Sequence, residues 1–415
     1  MLHLVKVGAD AGALRETSAR HGARKSNGDL WVIYNRGAPG ARKVYCSVSL
    51  NGGTTWKEEL VSTSAGDHKD ATIAIDANDD VHTAWTGEGY GVNGGKFNVE
   101  YRLKIGAVWQ AVEPVCDEPN HQYSPAIFID SANDAHVAWT GYHWGTFLAG
   151  INTVYRKQLA GIWQAVELIT DINSIQMQPS IAIDSTGKSH VAWRSKGFGV
   201  NVGFNNIKYK ARNGVWGAIE HITDVAANQN TPTIALDSGE IPHLTWSGYA
   251  WDATPFNYNI EYKNRRGGAW GAREAVTALN KDQRNPSISI DAADDVYVCW
   301  DGLGWGVFNQ FNIQHRKRTV GVWGAVTGIT DRNFQQEGSN LIWARYPTAP
   351  QTNVTTLGFA LFIDGQIVTG YQIEYYDSVD LAWPAGGVSA MGGRPMADVL
   401  VKAGMMMLNR PCLTL

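Results

Sequence analysis

Tryptophan returns every 53 or 54 residues through most of this chain. One series is Trp85, Trp139, Trp193, Trp246 and Trp300; a second is Trp56, Trp109, Trp163, Trp216, Trp270 and Trp323. A fixed period of this size marks a supersecondary unit that cannot bury its apolar face alone, so the copies must pack on one another. One copy runs Pro179–Asp184, a turn, His190–Trp193, a Gly/Asn/aromatic loop, Ile207–Lys210 and Gly214–Glu220. These runs alternate apolar and polar residues or are rich in β-branched and aromatic types, and turn residues bound them. They therefore predict four strands per unit. No stretch carries a sustained helical period with caps.

Four antiparallel strands repeated radially make a β-propeller, which leaves only short, protected edges. The expected fold is all-β: a seven-bladed β-propeller of four-stranded antiparallel blades, with six blades as the alternative count. Blades 2 to 6 are clear. Blade 1 is looser, with Asp29–Tyr34 as its second strand. The seventh is read from the match of Ile373–Tyr375 and Trp383 to Ile260–Tyr262 and Trp270, with an insertion near 346–356. Residues 1–8 read as one strand able to close the ring against the last blade. The propeller is expected over 1–390. The 391–415 tail, with Met405, Met406 and Met407, reads as a docking segment for the domain or a neighbouring chain.

Composition narrows function by exclusion. Charged residues are 18%, aromatics 11%, and the net charge is −4 with no long basic run, so nucleic acid is not an expected partner. No 18-residue apolar stretch is present, so no membrane span is expected. Met1 is followed by no basic-then-apolar signal segment, so classical secretion is not expected. Cys46, Cys116, Cys299 and Cys412 have neither metal-ligand nor disulfide-framework spacing, and Cys299 reads as a small core residue.

Ser49-Leu50-Asn51-Gly52-Gly53-Thr54-Thr55-Trp56 follows the pattern Ser-x-Asp/Asn-x-Gly-x-x-Trp. It resembles the Asp-box, the bacterial neuraminidase repeat of sialidase-like propellers. The resemblance implies the propeller fold and a structural turn between strands three and four, away from any active site. Sialidase activity would further require three arginines gripping a carboxylate, a Tyr–Glu nucleophile pair and an acid Asp. The stretch Ser18–Arg24 lacks the aromatic and proline of the first arginine's usual motif, leaving Arg20 or Arg24 as stand-ins. Arg194, Arg284 and Arg345 fall near expected strand ends, and Tyr371, Tyr375 and Tyr376 lie in the last blade. No complete catalytic set assembles, so no catalytic residue is assigned.

The recurring polar and aromatic positions suit recognition better. Five residues after each second-strand Trp stands an aromatic: Tyr90, Trp144, Phe198, Trp251 and Trp305, with Tyr142 and Tyr249 added in two blades. The loops between blades carry amides, among them Asn120, Gln122, Gln176, Gln178, Gln229, Asn230, Gln283 and Asn285. Aromatic faces beside amides match sugars, whose C–H faces pack on rings and whose hydroxyls need donors and acceptors. The competing structural reading is that each ring tucks against the neighbouring blade. The binding candidates are thus Tyr90, Trp144, Phe198, Trp251, Trp305, Tyr142, Tyr249, Gln122, Gln178, Gln229 and Gln283.

The repeated His82, His136, His190 and His243 are too far apart by blade for one ion, and read as structural groups bonding turn carbonyls. Asp76, Asp130, Asp184, Asp237 and Asp291 read as residues bonding their own turn amides, and Asn98, Asn152, Asn206, Asn259 and Asn312 likewise. No metal or other cofactor is expected. The functional expectation is a non-enzymatic binding or assembly propeller, glycan-recognising or adhesive, such as a phage virion component. A divergent glycoside hydrolase or lyase with an axial pocket and a protein-docking scaffold are the alternatives.

Overall fold

The computed structural model describes residues 20–251, 256–306 and 309–331 in full, and only the strand pairing of 2–9, 336–342, 360–367 and 370–377. Six consecutive antiparallel sheets cover residues 22–328. Sheet 1 holds Gly22–Arg24, Leu30–Arg36, Lys43–Ser49 and Lys57–Leu60. Sheet 2 holds His68–Ile75, Val81–Gly87, Asn98–Ile105 and Val108–Pro114. Sheets 3 to 6 repeat the plan, opening at Gln122–Ile129, Gln176–Ile183, Gln229–Leu236 and Gln283–Ile290. In sheets 3 and 4 the fourth strand is broken into two short pieces, as in Ile162–Trp163 and Glu167–Leu168. Six blades therefore stand in full, the lower of the two expected counts. A further set of strands pairs in the order Leu2–Ala9, Gly370–Asp377, Ala360–Ile367, Gln336–Ile342. The expected insertion near 346–356 and the 391–415 tail lie outside the described residues.

The first strands face a common axis: residues from all six line one cavity, including Ala23, Ile73, Phe128, Ile183, Leu236 and Ile288. Blades 2 to 6 pack on their neighbours because the second strand of each buries a tryptophan completely, and sheet 1 buries Tyr34 in that place. Trp85, Trp139, Trp193, Trp246 and Trp300 are all 0% exposed. Their indole N–H groups need acceptors in that dry setting. Trp139, Trp193, Trp246 and Trp300 donate to the Oε1 atoms of Gln122, Gln176, Gln229 and Gln283, at 3.0, 2.8, 2.9 and 2.8 Å. Sheet 2 has no glutamine there, and Trp85 donates to His68 Nδ1 and Glu100 Oε2, each at 3.1 Å.

A second relay ties blade to blade. Asp130 Oδ1 accepts the turn amides of Ala132 and Asp134, as expected for this position. Its other oxygen meets His136 Nε2 at 3.0 Å, and His136 Nδ1 meets the Tyr155 hydroxyl at 2.6 Å. The Tyr155 ring then meets Trp216 of the next blade edge-on, with centroids 5.2 Å apart. Sheets 4 and 5 repeat this through His190, Tyr209 and Trp270 and through His243, Tyr262 and Trp323. The histidines thus bond a carboxylate and a phenol, not the turn carbonyls that the sequence suggested. Three outer tryptophans reach back to a glutamate of the preceding blade: Trp109 Nε1 to Glu59 at 3.0 Å, Trp163 Nε1 to Glu113 at 2.9 Å and Trp323 Nε1 to Glu274 at 2.9 Å. The third-strand asparagines also differ from expectation. Asn206 Oδ1 accepts the Val225 amide and the Thr223 hydroxyl, capping the segment after the fourth strand and not its own turn.

Candidate functional site

The loops joining second to third strands and those joining blades share one face, the loop face. The Gly-flanked aromatics stand there, and the structure ties them down. Gly91, Gly145, Gly199 and Gly306 follow the ring residues with φ of 76°, 76°, 86° and 73°, a region where side chains are strained. A Cβ on Gly199 would land in the Asp224 carboxylate, and one on Gly145 in that of Asp171. Those carboxylates accept the next backbone amides: Val200 N to Asp224 Oδ2 at 2.7 Å, Thr146 N to Asp171 Oδ1 at 2.9 Å. These amide bonds hold both carboxyls below the usual range.

The rings are half-buried. The indoles of Trp144, Trp251 and Trp305 donate to Gln122, Gln229 and Gln283 Oε1 at 2.7, 2.7 and 3.2 Å. The Tyr90 hydroxyl donates to Val112 O at 2.7 Å. The glutamines Gln122, Gln229 and Gln283 are 0% exposed, each accepting two indoles and donating to loop carbonyls. Gln178 is half-buried on a bulge, and Phe198, Tyr142 and Tyr249 are half-buried on the loop face. Tyr249 lies on Tyr258, with centroids 3.7 Å apart.

The residue after each of these first-strand glutamines proves more informative. The inner strands break register there: Tyr123/Ala126, Met177/Ser180, Asn230/Thr233 and Arg284/Ser287, with Lys69/Thr72 in sheet 2. The bulged residues Asp70, Ser124, Gln178, Thr231 and Asn285 all sit at φ of 50–55°. A bulge re-aims the side chains beside it, and backbone strain of this kind persists where structure over-determines it. Around a constant frame of Trp, Gln, Asp, His and Tyr, the residues before the bulges vary: Lys69, Tyr123, Met177, Asn230 and Arg284. They ring the axial mouth of the loop face.

Two groups form there. Lys69 Nζ lies 4.5 Å over the Phe97 ring and 5.0 Å over Tyr123. His121 stacks on Tyr123, with centroids 5.7 Å apart and planes 16° apart, and Tyr142 meets Tyr123 edge-on at 5.8 Å. Burial raises the Tyr123 phenol and lowers the His121 imidazole, which Lys96 lowers further. In the second group, Arg194 Nη2 donates to Met177 Sδ at 3.0 Å and Nη1 to Asn230 Oδ1 at 3.5 Å. Asn205 donates to the same oxygen at 3.0 Å, and Asn230 Nδ2 donates to the Tyr258 hydroxyl at 2.8 Å. Arg284 stacks over Tyr258 and Phe311 and pairs with Asp282. Among the described residues, neither Lys69 nor Arg194 has a carboxylate partner. A chain of net charge −4 thus gathers uncompensated cations beside aromatic rings at one end of its axis.

Sequence reasoning named Arg194 and Arg284 only as loose arginine candidates and passed over Lys69, His121, Tyr123 and Tyr258. The available signal was the position where the repeat stops repeating. Arg20 and Arg24 border the axial cavity instead, with Arg20 over Phe128. Arg345, Tyr371, Tyr375 and Tyr376 have no described side chains. No group of three or more His, Cys, Asp or Glu suited to a metal occurs among the described residues. The Ser49–Trp56 turn closes on itself, with Gly53 N on Ser49 Oγ at 2.8 Å and Trp56 Nε1 on Gly53 O at 2.9 Å.

No family model matches the chain, and no curated protein matches it. Several solved structures do. A PL25 ulvan lyase, a polysaccharide lyase, shares 12% identity over 92% of this chain and 100% of its own, with a TM-score of 0.61; its structure bound to -[GlcA(1-4)Rha3S]- gives 0.60. The polysaccharide lyase Uly1 shares 12% over 90% and 92%, with a TM-score of 0.53. A protein of unknown function from Dyadobacter fermentans DSM 18053 shares 11% over 76% and 96%, with a TM-score of 0.51. At these identities the likeness is one of fold, an all-β array that carbohydrate-active enzymes also use.

Proposed function

We propose that this chain is a seven-bladed propeller that recognises an anionic polysaccharide across the axial mouth of its loop face. The observation that carries the reading is the set of unlike residues beside the strained bulges of an otherwise constant repeat, Lys69, Tyr123 and Arg284, with Arg194 and Tyr258 bonded to or stacked on the residues at neighbouring bulges. One asymmetric ligand needs unlike groups at equivalent positions; ring closure alone does not. Guanidinium and ammonium groups suit uronate or sulfate, and stacked rings suit pyranose faces. The similarity in fold to two polysaccharide lyases points the same way. The half-buried aromatics Tyr90, Trp144, Phe198, Trp251 and Trp305 form the outer wall of this surface, and Tyr142 and Tyr249 join the mouth.

Seven blades are favoured by the strands beyond residue 331. Gln336–Ile342 begins with glutamine as the inner strands of sheets 3 to 6 do, and breaks register between Glu337 and Asn340 as the inner strands of sheets 2 to 6 do at the same place. It also contacts the inner strands of sheets 6 and 1. Leu2–Ala9 supplies its outermost strand.

Binding without turnover, as in an adhesin, a virion component or a docking scaffold, asks least of this face. A second reading is β-elimination, favoured by the stack of Tyr123 on His121 beside Lys69, a phenol and an imidazole near a cation. The test is affinity electrophoresis of the full chain through gels holding a sulfated uronate polysaccharide or neutral dextran, with ultraviolet absorbance of the unsaturated product followed in parallel. Retardation by the anionic polymer alone supports recognition, and growing absorbance selects elimination. Equal mobility in both gels refutes the proposal.

A further inference from the structure

We propose that the axial cavity at the end opposite the loop face is a second site, for a small organic carboxylate, with the Arg20 guanidinium as its ligand. The argument is independent of the polysaccharide reading. The cavity of about 160 Å³ lies where first strands turn into second strands, lined by Asp76, Asp130, Ser185 and Glu240 at its end and by isoleucines along its wall.

One layer of this cavity is built from small residues. Ala74, Phe128, Ala182, Ala235 and Ser289 hold the same register, opposite His82, His136, His190, His243 and Tyr297; Ala23 fills that place in sheet 1. Four alanines and a serine leave room on the axis, and Phe128 breaks the pattern on one side. The Arg20 guanidinium lies 5.0 Å from the Phe128 ring centroid. Among the described residues the guanidinium makes no other side-chain contact, hydrogen bond or ion pair. Burial lowers its pKa to about 10, so it stays charged near neutral pH.

None of the lining acids Asp76, Asp130 and Glu240 forms an ion pair with it among the described residues, and two of them have partners of their own. Asp130 is taken up by Ala132, Asp134 and His136, and Asp76 by Asn78, Asp80 and His82. A half-buried guanidinium that borders this cavity, with five donors and no acceptor among the described residues, leaves those donors for whatever fills the cavity, and an anion would complete them. Its flat edge matches a carboxylate in bidentate fashion. The apolar wall favours an anion with a short hydrocarbon body over a strongly hydrated inorganic one.

The test titrates the full chain with sodium propionate, against sodium chloride and sodium sulfate at matched ionic strength. Thermal midpoint and saturation-transfer NMR from protein to propionate methyl protons are read together. Wild type should show a saturable rise in midpoint and clear transfer with propionate alone. Arg20→Met should bind propionate about tenfold more weakly or worse, since a charge-assisted bond is lost, and Phe128→Leu less so. The same midpoint response to chloride or sulfate, or unchanged affinity in Arg20→Met, would overturn the assignment. Should Arg20→Met fail to fold, absence of transfer in wild type overturns it.

Discussion

Two buried residues set sheet 2 apart from sheets 3 to 6. Where other blades accept the tryptophan indole on a glutamine, sheet 2 uses His68 and Glu100, whose side chains are 0% and 1% exposed. Burial pushes the Glu100 carboxyl up to about 7 from an ordinary value of 4.5, and with help from Lys43 it pulls His68 down to about 4. Glu100 therefore binds its proton more tightly folded than unfolded. Its contribution is fully present below pH 4.5 and is lost as pH rises through 7. His68 works in the other sense, with stability gained as pH rises from about 4 to 6.5. Glu100→Gln should remove the first effect. Its stability relative to wild type should rise by roughly 3 kcal/mol between pH 4.5 and 7. Urea midpoints across that range check this, and a pH-independent difference would contradict it. The fully buried tryptophans give a simpler expectation. Trp193→Ala empties a closed site and strands the Gln176 carbonyl, so it should cost about 3–5 kcal/mol in denaturant unfolding.

At the level of the element, the loops that follow the second strands are locked by one glycine and one distant aspartate. Asp224→Ala frees the Val200 and Asn201 amides, both bonded to its carboxylate at 2.7 and 2.9 Å. It should speed their hydrogen exchange at least tenfold while leaving the Trp193 strand protected. The four-strand unit, the buried tryptophans and the turn aspartates were legible because each recurs with a period that apolar patterning and turn chemistry specify. The glutamines and ring residues were legible as positions but not as partners. Nothing in the spacing says that Gln229 accepts both the Trp246 and Trp251 indoles, because that bond joins two strands and a loop. The mouth residues were hidden for a different reason. A bulge shifts register by one residue, and no residue type in Lys69-Asp70 or Tyr123-Ser124 announces it. This bonding also bears on the outer wall. Replacing Trp144, Trp251 and Trp305 together with Ala should lower the melting midpoint, because three indole–glutamine bonds are lost along with the rings. An unchanged midpoint would mean that the rings serve only a ligand.

For the whole molecule, the proposed ring closes through two distant parts of the chain, since Leu2–Ala9 pairs along Gly370–Asp377. Removing residues 1–9 should therefore expose a sheet edge, lower the melting midpoint and promote self-association, both readable by calorimetry and light scattering. The functional account rests on charge placed at one end of the axis against a net negative chain. Calorimetric titration of a sulfated uronate polysaccharide into wild type and into a Lys69→Ala/Arg194→Ala/Arg284→Ala variant tests it most directly. The account predicts binding that weakens with added salt and falls at least about tenfold in the variant, a change of 1.4 kcal/mol or more, with the melting midpoint kept within a few degrees. Equal affinity in the folded variant, or equal binding of neutral dextran by wild type, would contradict it.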